Sequence, residues 1–264
     1  MSLSCLANVK RNNESSRPDV QPHVVFASYV GDRSGSMCRQ EKASANGVYE
    51  WVKEMCSGVI NGGQKGFISV TFFDSLAEKR LVNVPMDKVE ISIEQARDWS
   101  EPRNSTKLYD TAIEAINTLR RNIKSYKSSH PELRIHGVFQ LFSDGHDNKS
   151  MAQSHHLQAA IEGARNEGIS CIYLGIGQNA IKIGKEYGFE EDQSLSVDVG
   201  EETSEFAFRG CSMNALRCAS TGESQAIPEC LRQSSAPSQS FHRSTIGVPA
   251  FKLNPNARPF NLKQ

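Results

Sequence analysis

The chain has 264 residues, of which 38% are hydrophobic and 23% are charged, a composition that allows one sizeable hydrophobic core. Its 30 Lys and Arg residues balance its 30 Asp and Glu residues, so no basic excess indicates a nucleic-acid partner. No apolar run approaches the roughly 20 residues that a membrane-spanning helix needs, and we expect no membrane association.

Strand patterns and helical spacing alternate along the chain. In chain order they predict a strand at Val24–Val30, a helix at Glu41–Ile60, strands at Phe67–Phe73 and Glu78–Val84, helices at Ile93–Trp99 and Thr106–Tyr126, a strand at Ile135–Phe142, a helix at Gln153–Asn166, a strand at Gly168–Ile176, a helix at Ala180–Tyr187, a strand at Leu195–Val199 and a helix at Ser204–Ser220. The alternation predicts an α/β fold with an open, mostly parallel sheet and helices on both faces. In such sheets, ligands bind beyond the carboxyl ends of the strands.

The most informative motif, Asp32-Arg33-Ser34-Gly35-Ser36, follows the first predicted strand. Alternate residues of an extended segment point the same way, so Asp32, Ser34 and Ser36 can direct three oxygen atoms at one point. Oxygen ligands of this kind suit a hard divalent cation such as Mg²⁺. The same residue types also cap helix N-termini, and this purely structural role is the alternative interpretation.

Two further segments place polar residues at predicted strand ends or helix starts. Thr106 lies in the segment Asn104–Asp110, which leads into a predicted helix, and Asp144 follows the strand that ends at Phe142. With these segments in view, the chain from about Pro22 to Gly222 resembles the von Willebrand factor A family. The metal-ion-dependent adhesion site (MIDAS) of that family reads Asp-x-Ser-x-Ser, then a Thr, then an Asp, on three loops in this order.

The resemblance implies a Rossmann-like sheet with one antiparallel edge strand and a metal site built by Asp32, Ser34, Ser36, Thr106 and Asp144. The last of these residues is expected to reach the metal mainly through water. Ser105 stands where the family more often has Gly, which leaves the path of that loop open. In many members, an Asp or Glu side chain of a partner protein completes the metal shell. We therefore expect Mg²⁺ or Mn²⁺ as the cofactor and a protein partner that presents Asp or Glu.

Two other classes of function remain open. The segment Asp144–Asp147 has ligand types found in metal-dependent hydrolases, in which metal-bound water acts as a nucleophile. The sequence has no second cluster of His and Asp at strand ends, no phosphate-binding Gly-rich loop and no nucleophile elbow, so we expect no enzyme activity. The third interpretation is a scaffold of the same fold with an idle metal site. Arg33, Met37 and His146 are candidates for partner selection beside the site.

Composition divides the chain into a polar segment at 1–21, a domain at 22–222 and a low-complexity tail at 223–264, and we expect both ends to be disordered. The first residues contain too short an apolar stretch for a signal peptide. The seven cysteines are widely spread and include no Cys-x-x-Cys pair, which supports neither a disulfide framework nor a zinc ribbon. We expect an intracellular, cytoplasmic protein with reduced thiols.

Overall fold

The computed structural model describes residues 23–103, 105–177, 179–197, 201–229 and 231–232, and only the backbone of 201–206. The predicted N-terminal segment at 1–21 and the part of the predicted tail from 233 onward lie outside the described residues. The strands are β1 (His23–Asp32), β2 (Lys65–Phe73), β3 (Ala77–Pro85), β4 (Arg134–Ser143), β5 (Ser170–Ile176) and β6 (Ser194–Val197). They form one sheet in the order β3-β2-β1-β4-β5-β6.

The sheet is mixed only at one edge. β1 pairs in parallel with β2 and β4, and the parallel pairing continues through β5 to β6. β3 runs antiparallel to β2. The predicted α/β sheet with one antiparallel edge strand is therefore confirmed.

Helices cover both faces of this sheet. They are α1 (Glu41–Asn61), α2 (Ile93–Ser100), α3 (Leu108–Ser129), α4 (Ser154–Asn166), α5 (Ala180–Glu186) and α6 (Glu201–Thr221). One face packs against α1, α2 and α6, and the other packs against α3, α4 and α5. Every predicted strand and helix is present, with ends that differ from the prediction by a few residues; positions 198–199 of the last predicted strand lie outside the described residues.

The central strand β1 positions the start of the first polar loop. All ten of its residues are buried, and alternate side chains enter the two cores. Tyr29 packs against Trp51 on one face, with ring centroids 5.2 Å apart, and Phe26 stacks on Phe67 at 4.9 Å on the other. A shift of one residue would turn every side chain of β1 to the wrong face. The two cores therefore determine where Asp32 leaves the sheet.

The folded structure continues past residue 222, the boundary predicted for the domain. Ile227 is only 2% exposed, and its N–H donates to the carbonyl of Asp192 at 2.8 Å. The hydroxyl oxygens of Ser224 and Ser170 lie 2.8 Å apart, and Leu231 packs against the core that α6 covers. The first residues of the predicted tail thus belong to the domain.

Candidate metal centre

The first loop begins where β1 ends, and it connects all three residues of the predicted motif. The Asp32 carboxylate is buried, with 0% exposure. Its Oδ1 accepts the N–H of Ser34 at 2.8 Å, and its Oδ2 accepts the hydroxyl of Ser143 at 2.7 Å. The hydroxyl oxygens of Ser34 and Ser36 lie 3.0 Å apart. Asp32, Ser34 and Ser36 therefore form one continuous polar group at the end of the strand.

The serine hydroxyls are not used to cap the short 3₁₀ helix that follows, Gly35–Gln40. Ser34 occupies its N-cap position but makes no side-chain cap hydrogen bond. Ser34 is buried and Ser36 is exposed, so the pair reaches from the interior to the surface. Capping alone does not account for this motif, because its hydroxyls face each other rather than the helix N–H groups.

The second loop places Thr106 just before α3, and the third loop forms hydrogen bonds with both its backbone N–H and its carbonyl. The N–H of Thr106 donates to Oδ1 of Asn148 at 3.0 Å. Its carbonyl accepts the N–H groups of Asn148 and Lys149, each at 3.1 Å. Thr106 is buried, so its position depends on these contacts between the two loops.

The third loop begins at Ser143, the last residue of β4, whose hydroxyl links it to the first loop. This hydroxyl donates to Asp32 and accepts the N–H of Gly145 at 3.0 Å. Gly145 has a φ of +82°, a left-handed conformation that favours glycine, so the chain turns directly after Asp144. Asp144 is half-buried, and its Oδ1 accepts the N–H of His146 at 3.0 Å.

Burial makes the negative charge of Asp32 costly. Desolvation raises the pKa of Asp32 to about 7, and the negative charge of Asp144 acts in the same direction. Hydrogen bonds from Ser34 and Ser143 oppose the rise in pKa. The two carboxylates therefore lie near enough to repel each other, and a cation beside them would favour the ionised form of Asp32.

The chemistry of these residues fits a hard divalent cation. The first and third loops bring together two carboxylates and serine hydroxyls, which are oxygen donors of the kind that Mg²⁺ prefers, and the third loop holds Thr106 through Asn148. Within the described residues, no group of three or more His, Cys, Asp or Glu side chains is placed to hold a metal ion. Of the five candidate donors, three are neutral hydroxyls and two are carboxylates.

Two carboxylates that were not anticipated from the sequence fasten the third loop to the start of α3. Oδ2 of Asp147 accepts the N–H of Tyr109 at 3.0 Å. In the opposite direction, Asp110 accepts the N–H groups of Met151 at 3.1 Å and Ala152 at 2.9 Å. Asp110 lies in the first turn of α3, where a negative charge is favourable, but this position does not indicate its partners in the third loop.

Two of the three residues proposed for partner selection point inward. Arg33 and Met37 are 0% and 1% exposed, so neither side chain can contact a partner and that expectation is wrong. Arg33 lies between Asp32 and Ser34, which are both buried. Its side chain forms an ion pair with Asp74 inside the domain. His146 is exposed beside Asp144 and remains a candidate.

Solved structures provide the comparison with known proteins, because no protein-family model and no curated protein matches the sequence. Proximal thread matrix protein 1 from the mussel byssus has a TM-score of 0.51 at 15% identity, over 74% of this chain and 47% of that protein. The pilus adhesin SpaC from Lactobacillus rhamnosus GG has a TM-score of 0.53 at 14% identity, over 76% of this chain and 31% of the adhesin. A von Willebrand factor type A protein from Catenulispora acidiphila has a TM-score of 0.47 at 14% identity, over 74% of this chain and 43% of that chain.

The sheet order, with its antiparallel edge pair, agrees with the topology implied by the resemblance, and the first two structures share the fold. The chain has a von Willebrand factor A-type fold. At these identities the likeness concerns the fold alone, and this A-type domain spans less than half of each of the three chains. Among its described residues, no helix has both the length and the apolar character needed to cross a lipid bilayer.

Proposed function

We propose that this A-type domain is a divalent-cation-dependent protein-interaction module. Asp32, Ser34, Ser36 and Thr106 would supply ligand oxygens to Mg²⁺ or Mn²⁺, and Asp144 would act mainly through water. The cation would then bind the carboxylate of an Asp or Glu side chain on a partner protein. The observation that carries the proposal is the buried Asp32 carboxylate, which accepts the backbone N–H of Ser34, together with the hydroxyls of Ser34 and Ser36, which lie 3.0 Å apart.

The donor set explains why the cation would favour an acidic partner. Mg²⁺ prefers six oxygen ligands and retains several waters. Because Asp144 would act through water, Asp32 alone would bring negative charge into direct contact with the ion. A carboxylate from a partner would replace a water and supply the missing negative charge.

Exposed side chains on the third loop support a protein as the partner. His146 is exposed beside Asp144. Met151 is 94% exposed, although its backbone N–H is held by Asp110. A methionine presented to solvent by a fastened backbone is typical of protein interfaces, in which Met is enriched. The balanced charge of the chain offers no comparable support for a nucleic-acid partner.

Binding explains the site better than hydrolysis. A metal-dependent hydrolase needs a general base that reaches the metal-bound water. Asp32 is buried, and both of its oxygens already accept hydrogen bonds from Ser34 and Ser143. Asp144 accepts the N–H of His146 and is the carboxylate proposed to hold a water in the metal shell. We therefore propose a binding role without catalysis, and a scaffold with an idle site differs from it only in failing to bind a cation.

We also propose an intracellular, cytoplasmic location. Five described cysteines are free thiols: Cys38, Cys56, Cys171, Cys211 and Cys218. Burial raises the pKa of Cys171 and Cys211 to about 12, which keeps these thiols protonated and unreactive. Microscopy of the tagged chain in its own cells tests the location, and a secreted chain would contradict it.

Calorimetric titration of chelator-stripped protein with Mg²⁺ and Mn²⁺ tests the cation site. We expect saturable binding by the wild type and no binding by Asp32→Ala, because the one direct anionic ligand is lost. Asp32→Asn keeps the shape of the side chain and should lose binding as well. The exposed Asp87 provides a matched control, and Asp87→Ala should bind like the wild type.

The result decides between the interaction module and the idle scaffold. Binding that both Asp32 variants abolish leads to a pull-down with and without chelator, in which a partner captured only with the cation supports the interaction module. Equal binding by the wild type and Asp32→Asn would contradict the site. If the wild type binds neither ion, the scaffold interpretation replaces the proposal.

A further inference from the structure

Arg33 lies between two of the proposed ligand residues, and its side chain is completely buried. Its Nε donates to Oδ2 of Asp74 at 2.9 Å, and the same guanidinium forms an ion pair with Glu78. A buried arginine is rare unless it is paired, so these contacts determine where its side chain can lie. Both partners belong to the β2–β3 hairpin, which is distant in sequence from the first loop.

The hairpin also contacts the second loop. The backbone of Arg33 donates its N–H to the carbonyl of Phe73 at 2.9 Å and accepts the N–H of Arg103 at 2.7 Å. The carbonyl of Asp74 accepts the N–H of Lys107 at 2.7 Å, directly after the proposed threonine ligand. Asp74 thus binds the first loop with its side chain and the second loop with its backbone.

We propose that Arg33 is a positioning residue for the cation site. Through Asp74 and Glu78 it fastens the first loop to the β2–β3 hairpin, and this sets the position of the first loop relative to the second loop, which Asp74 also contacts. The inference rests on the proposed cation binding. The guanidinium of Arg33 is paired with Asp74 and Glu78, and Arg33 is not one of the proposed ligands. Its effect on the cation is therefore indirect, through the placement of Asp32 and Ser34.

The positive charge of Arg33 would by itself oppose cation binding. The structure neutralises it within a cluster of ion pairs that contains three arginines and three carboxylates: Arg33, Arg80, Arg103, Asp74, Glu78 and Asp98. Positioning and charge thus predict opposite results when Arg33 is replaced by a neutral residue. Positioning predicts weaker cation binding, whereas the loss of a nearby positive charge predicts tighter binding.

Titration of chelator-stripped protein with Mn²⁺ by calorimetry tests the inference. Arg33→Met keeps an unbranched apolar stem but loses the ion pairs, and we expect its Mn²⁺ affinity to fall about tenfold or more, as for other residues that orient metal ligands. Arg33→Lys keeps the charge but loses the planar pairing with both carboxylates, and its affinity should fall in the same direction. Should Arg33→Met fail to fold, Arg33→Lys carries the test.

Two control variants separate positioning from a general loss of stability. Ile227→Ala removes buried apolar contacts near the opposite end of the sheet and should leave the Mn²⁺ affinity unchanged. Arg97→Met removes an exposed arginine and should also leave it unchanged. Tighter or equal binding by Arg33→Met, or unchanged binding by Arg33→Lys, overturns the inference while the cation site stands. Failure of the wild type to bind Mn²⁺ overturns both proposals.

Discussion

At the scale of single residues, buried polar side chains lie near both ends of the sheet. Asp32 is buried where β1 ends, and His136 is buried near the start of β4. His136 Nε2 lies 3.0 Å from the Ser170 hydroxyl. Burial lowers the pKa of His136 to about 4, and electrostatic interactions with His23 and Arg134 act in the same direction. This histidine is therefore neutral in the folded protein at physiological pH.

The lowered pKa of His136 predicts a loss of stability in mild acid. The unfolded chain protonates this histidine near pH 6.5, whereas the folded chain does so only near pH 4, so its contribution is complete above pH 6.5 and is lost as the pH falls. Between pH 7.5 and pH 5, we expect the wild type to lose about 2 kcal/mol more of its unfolding free energy than His136→Gln. Urea unfolding at both pH values measures this difference.

A matched variant identifies the group responsible. His155 is exposed, so His155→Gln should keep the acid sensitivity of the wild type. An equal loss of stability in the wild type and His136→Gln would show that other groups cause the acid sensitivity.

At the scale of elements, hydrogen bonds to backbone groups hold the third loop against α3. Asp147 accepts N–H groups of Tyr109, Lys149 and Ser150, so one carboxylate joins the helix start to the turn after β4. The proposed ligand Thr106 depends on the same loop. The order of the metal centre thus rests on contacts between elements that are distant in sequence.

Replacement of Asp147 by Ala should loosen this loop. We expect Asp147→Ala to lower the unfolding free energy by about 1–2 kcal/mol, because three N–H groups, two of them partly buried, lose their acceptor. Hydrogen exchange should accelerate in residues 145–152, and Mn²⁺ affinity should fall. Asp87→Ala is the control, since its carboxylate is exposed. Unchanged exchange in this segment would mean that the loop is ordered by its other contacts.

At the scale of the whole molecule, two cores on opposite faces of one sheet stabilise the domain. The core under α1 and α6 also takes in Ile227, which follows the last long helix. Its burial and the hydrogen bond from its N–H to the carbonyl of Asp192 attach residues 224–229 and 231–232 to the domain. This segment contributes to stability near the end of the sheet where the strands begin.

Truncation of the Ile227 side chain should destabilise the whole domain. We expect Ile227→Ala to lower the unfolding free energy by about 2–4 kcal/mol, because a buried side chain is removed and a cavity remains. Ile60→Ala is a matched control, since Ile60 is 43% exposed and its truncation should cost much less. Thermal and urea unfolding of both variants measure the difference. Equal stabilities would falsify the anchoring role of the segment.

The elements of this fold were predictable because their signals are local. Apolar periodicity placed each strand and helix, and their alternation predicted the parallel sheet. The antiparallel edge strand and the identity of the five proposed ligand residues came from the resemblance that the three loop motifs carry. Each of the three loop motifs is local in the chain, so the resemblance could be seen without knowledge of tertiary contacts.

The supporting contacts of the metal centre could not be predicted in this way. Asp74, Glu78 and Asp147 are ordinary acidic residues in the sequence, and only folding brings them to Arg33 and to the start of α3.

The amino-acid sequence by itself determined the order of the elements, the sheet that they form and the loops that carry the candidate ligands. The tertiary structure decided that Arg33 and Met37 point inward, and it placed Ile227 in the core. The physical reason is that hydrophobic periodicity depends only on residues that are close together in the chain. Ion pairs, hydrogen bonds between loops and the burial of isolated side chains depend on which distant segments come into contact in the folded chain.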